Sequence, residues 1–261
     1  MENIQFLIKF GERQYMQRLA EGYLYFSYAK KFREIEEKLQ QKGQGDYLEG
    51  SAKIHGTNMQ IYDRDTGEYW GQVAKATTIC HFAPANQIPV FCLFTCYKDY
   101  CICKGDNEFS INLPENIVCD IRNHFNKADT AAIIVEPRQF IDDINKSFNN
   151  LSKAERVHYF NISGIPTKDG QVAQDMEYHK YLTQDTPPEK VKGGIKYSFS
   201  ADYVYRSLFC KDKFFENENE FRILLPDKEI FEPKEFYVRT TSPIKLFDID
   251  SILNGDTFSI K

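Results

Sequence analysis

The sequence predicts an α+β fold, and three features of the 261-residue chain support this prediction. Short strand-like and helix-like segments follow one another without the regular strand–helix–strand alternation that is typical of a doubly wound sheet. Hydrophobic residues make up 42% and aromatic residues 15% of the chain, which is enough for a packed core. The sequence contains no internal repeat and no low-complexity tract. We therefore expect one domain that covers residues 1–261.

The amino-terminal region predicts the order strand, helix, strand, helix. The runs "IQFLIKF" and "YLYFS" are apolar and rich in strand-forming residues. Between them, "GERQYMQRLAEG" places apolar residues at helical spacing, and Gly22 suits the end of that helix. A second amphipathic helix follows in "AKKFREIEEKLQQKGQG", where Phe32, Ile35 and Leu39 fall on one face.

The middle of the chain predicts a hairpin followed by a central strand. The hairpin lies in "SAKIHGTNMQIYDRDTGEYWGQ", where Gly67 accepts the positive φ of a tight turn. The run "IPVFCLFTCY" is the most apolar strand candidate, so we expect it at the centre of a sheet. Further helices are expected in "ENIVCDIRNHFNKA", "RQFIDDINKSFNNLS" and "SADYVYRSLFC", and strands in "TAAIIVEP", "RVHYFNIS" and "EFYVRTTSPIKLFDI". The polar stretch 164–194 predicts an irregular excursion with one short helix in "QDMEYHKYL".

The composition narrows the classes of protein to consider. A formal net charge of −5 does not favour a strongly basic nucleic-acid scaffold. No apolar run approaches the roughly 20 residues that a membrane-spanning helix needs. The first residues also lack the long apolar region of a signal peptide. We therefore expect a cytoplasmic protein without a membrane partner.

The seven cysteines are an odd number in a chain without a secretion signal, which indicates free thiols. Four of them cluster at Cys92, Cys96, Cys101 and Cys103. Zinc prefers a tetrahedral set of thiolates, but this spacing lacks the usual C-x2-C pairs. Cysteine also packs well as a small apolar residue. We expect no bound metal, and zinc at this cluster is the less favoured alternative.

The segment "KFFENENEFRILL", residues 213–225, concentrates carboxylates. If the segment is a strand, its alternation places Glu216, Glu218, Glu220 and Arg222 on one face. One interpretation is an edge strand that uses charge against aggregation. The other is a functional site. Glu220 abuts the apolar half of the strand, and a buried carboxylate needs either a partner, for which Arg222 is the candidate, or a task. We expect Glu216 to be the solvated member.

The longer segment "FCKDKFFENENEFRILL" resembles the signature strand of a large bacterial family: a lysine, an aromatic residue, Gln/Glu-x-Glu, an aromatic residue and Arg. Other parts are similar in the same order. "IKFGERQYMQRLAEGYLYFSYAKKFRE" resembles the family's opening elements, and "VFCLFT" and "RVHYFN" resemble its middle strands. "GDYLEG", with Asp46, Glu49 and Gly50, lies where the family has an Asn/Asp-rich turn. This family, long described as a domain of unknown function, is assigned to the ADP-ribosyltransferase-like fold.

The resemblance implies a split β-sandwich with flanking helices, in which NAD binds as a substrate in the cleft between two small sheets. It places the catalytic glutamate at Glu220, with Glu218 at the upstream Gln/Glu position. It implies a Ser, Thr or Tyr on the second strand, which Tyr25 or Ser27 matches. The family's Arg or His on the first strand falls near Lys9, which departs from that pattern.

These residue types suit the implied chemistry. Cleavage of the nicotinamide–ribose bond builds positive charge on the ribose, and a fixed carboxylate such as Glu220 stabilises that charge. Glu218 could orient or deprotonate the incoming nucleophile. Lys9 could hold the pyrophosphate as a point charge. Phe32 or Tyr28 could stack on the nicotinamide.

We therefore expect an NAD-dependent ADP-ribosyltransferase that modifies a macromolecular acceptor, either protein or nucleic acid (RNA or DNA). The resemblance further implies a toxin or phage-defence effector, with an antitoxin protein as a partner. Two alternatives stay open. One is a non-catalytic interaction module on the same fold, which the departure at Lys9 favours. The other is a magnesium-dependent nuclease that uses Asp46, Glu49, Glu218 and Glu220.

Overall fold

The computed structural model describes residues 3–39, 47–63, 65–168, 172–191, 194–196 and 200–261, which form a mixed α+β fold. The α-helices are α1 (Arg13–Ala20), α2 (Ala29–Leu39), α3 (Glu115–His124), α4 (Pro137–Ser147), α5 (Met176–Thr183) and α6 (Ile249–Leu253). The first strands are β1 (Ile4–Gly11), β2 (Tyr23–Tyr28), β3 (Ser51–Tyr62), β4 (Tyr69–His81), β5 (Pro89–Tyr97), β6 (Cys101–Gly105), β7 (Glu108–Ile111), β8 (Thr130–Ile134), β9 (Lys153–Arg156) and β10 (His158–Phe160). The later strands are β11 (Ile165–Pro166), β12 (Val172–Ala173), β13 (Glu189–Val191), β14 (Gly194–Lys196), β15 (Cys210–Asp212), β16 (Glu220–Leu224), β17 (Lys234–Tyr237), β18 (Ile244–Asp248) and β19 (Phe258–Ser259). Segments of 3₁₀ helix lie at Ala83–Ala85, Lys98–Tyr100, Ala201–Phe209 and Lys213–Glu218.

The central sheet has β5 in its middle and is split along one edge of that strand. On one edge, residues 90–94 of β5 pair antiparallel with β16, which pairs in turn with β9. On the other edge, residues 94–97 pair with β1, which leads to β8 and β18. Residues 89–90 pair with β2, which leads to β17. Neither β1 nor β2 pairs with residues 91–93 of β5. The branch that begins with β1 and the branch that begins with β2 therefore diverge at these residues.

Both faces of β5 are packed against helices. Its sequence "PVFCLFTCY" suits this position, because it contains no charged residue. On one face, α1 and α4 cover a core whose largest members include Leu7, Phe26, Phe91, Phe140 and Phe221. On the other face, α3 and α6 cover a core that includes Phe6, Ile8, Phe94, Ile121 and Ile252. The predicted central position of this strand is therefore confirmed.

Strands β3 and β4 form a two-stranded ribbon that is a sheet of its own. The strands have 12 and 13 residues, and their register runs from Ser51 opposite His81 to Tyr62 opposite Tyr69. The predicted hairpin is confirmed, and Gly67 takes a φ of 71° in its turn. None of the residues of β4 is buried. The ribbon is thus held mainly by the pairing of its own strands.

The predicted strand over residues 213–225 is wrong in its first half. Lys213–Glu218 form a 3₁₀ helix, whose start is capped where the Asp212 side chain accepts a hydrogen bond from Phe214 N at 3.0 Å. Asn219 then adopts a left-handed conformation with φ of 42°, and only Glu220–Leu224 form a strand. The physical reason is that this half lacks β-branched residues, and asparagine tolerates the left-handed region. The edge-strand interpretation is also wrong, because β16 lies between β5 and β9.

Other differences concern the length and type of elements. The helix predicted in "SADYVYRSLFC" is present, and it is of the 3₁₀ type. Each of the segments "RVHYFNIS" and "EFYVRTTSPIKLFDI" contributes to two strands instead of one, β9 with β10 and β17 with β18. In the excursion 164–194, α5 lies where a short helix was predicted, and residues 169–171 and 192–193 are outside the described ranges. None of the helices in the described ranges has the length and apolar character to cross a membrane.

Candidate functional site

A cavity of about 540 Å³ opens where β1 and β2 diverge from β5. Its volume falls in the range of roughly 300–1,000 Å³ that is usual for small-molecule sites. Its walls come from β1, β2, α2, β5 and α3, and from the segment that surrounds the start of β16. All six residues predicted for the site line this one cavity: Lys9, Tyr25, Ser27, Phe32, Glu218 and Glu220.

Lys9 lies on β1 and reaches across the split. Its Nζ donates a hydrogen bond to the carbonyl oxygen of Cys92 at 2.7 Å and lies 5.2 Å from the centre of the Phe91 ring. Within the described ranges, no strand pairs with residues 91–93 on this edge of β5, so Lys9 satisfies a carbonyl that the split exposes. An ammonium group carries three protons, so Lys9 can hold this carbonyl and still present donors to the cavity.

The second branch of the sheet supplies hydroxyl and aromatic groups. Tyr25 and Ser27 alternate along β2, and the Tyr25 side chain is 59% exposed. Phe32 on α2 is partly buried and packs against a core cluster that includes Leu208. Tyr28, the other aromatic residue considered for stacking, is buried in the core and is absent from the cavity wall.

The opposite wall carries a cluster of paired charges, which we call the carboxylate cluster: Glu49, Lys211, Glu218, Glu220 and Arg222. Lys211 Nζ contacts Glu218 Oε2 and lies 3.2 Å from Glu220 Oε2. Arg222 Nε donates to Glu220 Oε1 at 2.9 Å, and Arg222 Nη2 donates to Glu220 Oε2 at 3.0 Å. The predicted burial of Glu220 is confirmed, since it is only 8% exposed. Arg222, the candidate partner from the sequence, does bind it, which gives this pair a structural role as well.

Arg222 is the hub of this cluster and is almost fully buried. Besides Glu220, its guanidinium binds both carboxylate oxygens of Glu49, with Nη2 to Oε2 at 3.0 Å, and it contacts the carbonyl of Leu208. Arg33 on α2 in turn donates to the backbone carbonyl of Glu49. A planar guanidinium suits such bidentate pairing, and it fixes the orientation of the Glu220 carboxylate.

Glu218 lies in the cluster, but it is carried by a 3₁₀ helix and not by the strand that alternation predicted. It is the last residue of the 3₁₀ helix Lys213–Glu218, and the left-handed Asn219 joins that helix to β16. The helix is clamped from the side by α3, where Asn217 Nδ2 donates to Asp120 Oδ2 at 2.9 Å. Glu216 is exposed on the same helix, as expected, and is absent from the cavity wall.

The two carboxylates on the cavity wall differ in their affinity for a proton. Burial by itself raises the pKa of Glu220, but the charges of Arg222 and Lys211 outweigh it and hold the pKa well below its ordinary value. Burial raises the pKa of Glu218 above its ordinary value, although Lys211 opposes this effect. Glu220 is therefore the ionised member, and Glu218 is the member that takes up a proton first as the pH falls.

Sequence reasoning missed one wall of the cavity. Asp120, Ile121, His124 and Phe125 on or next to α3 line it, together with Asn126. The helical pattern of α3 identifies which residues face the core, but it carries no signal that places this helix beside residues almost a hundred positions further along the chain.

The carboxylates that were considered as magnesium ligands are arranged in ion pairs. Among the described residues, no group of three His, Cys, Asp or Glu side chains is arranged to hold a metal ion. Glu49, Glu218 and Glu220, which were considered as magnesium ligands, are each paired with Lys211 or Arg222. Asp46 lies outside the described residues. The pairing favours a cluster of internal ion pairs over a divalent-cation site.

Comparison of the chain with protein-family models, curated proteins and solved structures gives no match in any of the three. The side chains of the cavity must therefore carry any functional conclusion. Three carboxylates and two cations leave one negative charge in excess on the β16 wall when all are ionised. Lys9 places a positive charge on the β1 wall. The cavity thus suits a ligand that has a cationic part and an anionic part.

Proposed function

We propose that this protein is an NAD-dependent ADP-ribosyltransferase. The observation that carries the proposal is the cavity in the sheet split, where one wall presents a fixed ionised carboxylate and the facing wall presents a lysine. NAD has matching parts, because its nicotinamide is cationic and its pyrophosphate is anionic. The divergence of β1 and β2 from β5 supports an ADP-ribosyltransferase-like split sandwich with the ligand between the two branches.

In this proposal the residues of the cavity divide the task of binding. Lys9 interacts with the pyrophosphate as a point charge. Tyr25 and Ser27 offer hydroxyl groups to the ribose or the amide of nicotinamide. Phe32 offers an aromatic face to the nicotinamide ring. Because Arg222 holds Glu220 by two hydrogen bonds, the carboxylate is oriented before the substrate arrives.

The reaction follows from the protonation states of the two glutamates. The bond between nicotinamide and the ribose carbon breaks, and nicotinamide leaves with the bonding electron pair. The ionised Glu220 stabilises the positive charge that develops on the ribose. The acceptor nucleophile forms the new bond to the same carbon, and Glu218 takes its proton, since its raised pKa makes it the stronger base of the two.

The acceptor in this proposal is a macromolecule, either protein or nucleic acid. The resemblance of the segment 209–225 to the bacterial family extends the proposal to a toxin or phage-defence effector with an antitoxin partner. Both extensions rest on that resemblance alone.

The activity is tested with labelled NAD and bacterial extract. Glu220→Gln removes the stabilising charge, so we expect a loss of label transfer on the order of 10²–10³-fold. Glu216→Gln is the matched control, because Glu216 is exposed on the adjacent helix and lies outside the cavity. Circular dichroism of both variants checks that they are folded. If wild type and Glu220→Gln consume NAD and transfer label equally, the enzymatic proposal is wrong.

A non-catalytic interaction module is the second candidate, and the geometry of Lys9 favours it. Its ammonium is already engaged by the carbonyl of Cys92, so it also serves to close the split in the sheet. Titration calorimetry with NAD separates the two candidates. Heat of binding that is lost in Lys9→Met supports the enzyme site, whereas absence of both heat and thermal stabilisation in the wild type supports the module.

A further inference from the structure

Two of the four clustered cysteines meet at a place outside the candidate site. The Sγ atoms of Cys96 on β5 and Cys101 at the start of β6 lie 3.4 Å apart. Cys92 instead faces Glu220, and Cys103 is exposed with its Sγ near the carbonyl of Gly105. The cluster therefore contains a pair of thiols in contact, and not a four-sulfur cage.

The two thiols are unequal in ways that suit successive chemical steps. Cys96 is fully buried, whereas Cys101 is partly exposed. The hydrogen bond from Cys96 lowers the pKa of Cys101, although burial opposes this effect. The same hydrogen bond and burial raise the pKa of Cys96. The thiolate is the reactive form of cysteine, so the lowered pKa makes Cys101 the first nucleophile. Cys96 is then the thiol that resolves the mixed disulfide on Cys101.

We propose that Cys96 and Cys101 form a reversible redox pair that low-molecular-weight disulfides oxidise to an internal disulfide. The Cys101 thiolate attacks one sulfur of the small disulfide and releases its other half as a thiolate. Cys96 then loses its proton and attacks Cys101 Sγ, which releases the second half. The two protein thiols are oxidised by two electrons, and the small disulfide is reduced to two thiols. This inference does not depend on the proposed ADP-ribosyltransferase activity.

The position of the pair gives oxidation a local consequence. A disulfide bond is about 2.05 Å long, so the two sulfurs need to approach by roughly 1.4 Å. The bond would close the turn at Lys98–Tyr100, where the ring of Tyr100 packs edge to face against that of the preceding Tyr97 at 5.8 Å. Both rings line a second cavity of about 550 Å³, which borders the 3₁₀ helix that carries Glu218. Oxidation would therefore fix the aromatic wall of that second cavity.

The test uses the full chain equilibrated with oxidised and reduced glutathione, followed by acid quenching and tryptic mass spectrometry. Trypsin cleaves after Lys98 and so separates Cys96 from Cys101. We expect two peptides joined by a disulfide, two hydrogens lighter than the reduced pair, which separate again in excess reduced glutathione. Cys103→Ser is the matched control and should keep the linkage.

Two variants decide which cysteines are joined. Cys96→Ser should lose the linkage and instead accumulate a glutathione adduct on Cys101, because no second thiol resolves it. Cys101→Ser, at the partly exposed position, should lose both the linkage and that adduct, and it keeps the test decisive if Cys96→Ser does not fold. A linkage that persists in either variant, or a wild-type Cys101 that reacts no faster than exposed Cys119, overturns the proposal.

Discussion

The carboxylate cluster and the β3–β4 ribbon differ in how far their side chains are buried and in how their charges are paired. In the cluster, three carboxylates and two cations are packed beside the core, and each charge contacts at least one of opposite sign. In the ribbon, none of the thirteen residues of β4 is buried, and Lys75 on this strand is exposed. A side chain in the cluster is therefore constrained by its partners, whereas a side chain on β4 is constrained mainly by the conformation of its own strand.

The contrast shows where the structure depends on single residues. Removal of one partner from a buried ion pair leaves an uncompensated charge in a poorly solvated place. A two-stranded ribbon is marginal by itself, and this one is anchored at its base. There, Tyr178 OH donates to Ser51 O at 3.3 Å, and His55 N donates to Gln174 Oε1 at 2.7 Å. We expect substitutions to have large effects in the cluster and small effects in the outer ribbon.

The largest expected effect is that of Arg222→Met. This change leaves Glu49 and Glu220 buried without their shared guanidinium, so the free energy of unfolding should fall by roughly 3–5 kcal/mol. The matched control is Lys75→Met on the ribbon, where an exposed position should change the value by no more than about 0.5 kcal/mol. Urea unfolding followed by circular dichroism measures both. Equal stability of the two variants would remove the contrast between the regions.

An intermediate effect is expected when the pH is lowered. The pKa of Glu220 is held below its ordinary value of 4.5 in the folded chain, so its charge contributes stability above that value, and this contribution is lost as the pH falls. The stability difference between wild type and Glu220→Gln should therefore be largest near pH 7. It should shrink by up to about 1.4 kcal/mol per pH unit in acid.

The matched comparison for this pH dependence is Lys75→Met. No acidic residue lies among Ser51–Tyr62 or Tyr69–His81, so the difference between wild type and this variant should stay flat over the same pH range. Urea unfolding at several pH values measures both differences. A difference for Glu220→Gln that does not change with pH would contradict the assigned ionisation of Glu220.

The smallest expected effect is that of Trp70→Ala at the outer end of the ribbon. The side chain is 66% exposed, so its removal costs little burial, and the free energy of unfolding should change by less than about 0.5 kcal/mol. Thermal unfolding followed by circular dichroism measures the change. A loss of 2 kcal/mol or more, on the order of a buried large-to-small substitution, would show that the ribbon is packed against something in solution.

Local patterns in the sequence were sufficient for the elements that are long and periodic. The strands around "IQFLIKF" and "IPVFCLFTCY" and the helices α1 to α4 are confirmed, because alternation and helical spacing depend on nearby residues only. The burial of Glu220 was also predictable, and Arg222 was identifiable as a candidate partner, since the two residues are separated by one position on a strand.

The remaining features depend on contacts that are distant in the sequence or on one unusual backbone conformation. Glu49 binds Arg222 across a separation of 173 residues, and no local pattern indicates such a pair. The left-handed Asn219 ends the 3₁₀ helix and joins it to β16. Strand alternation therefore wrongly placed Glu218 on the same strand as Glu220. The role of α3 as a cavity wall is likewise a product of tertiary packing.

Trp70 is the single tryptophan of the chain and belongs to β4, a strand without a buried residue. Its fluorescence therefore reports on the environment of the ribbon and is nearly insensitive to changes in the core. Unfolding of the central sheet should shift the emission only slightly, because the indole is already mostly exposed in the folded chain. A molecule that covers β4 should shift the emission to shorter wavelength. The protein thus carries an intrinsic optical probe, which detects association at the ribbon without any label.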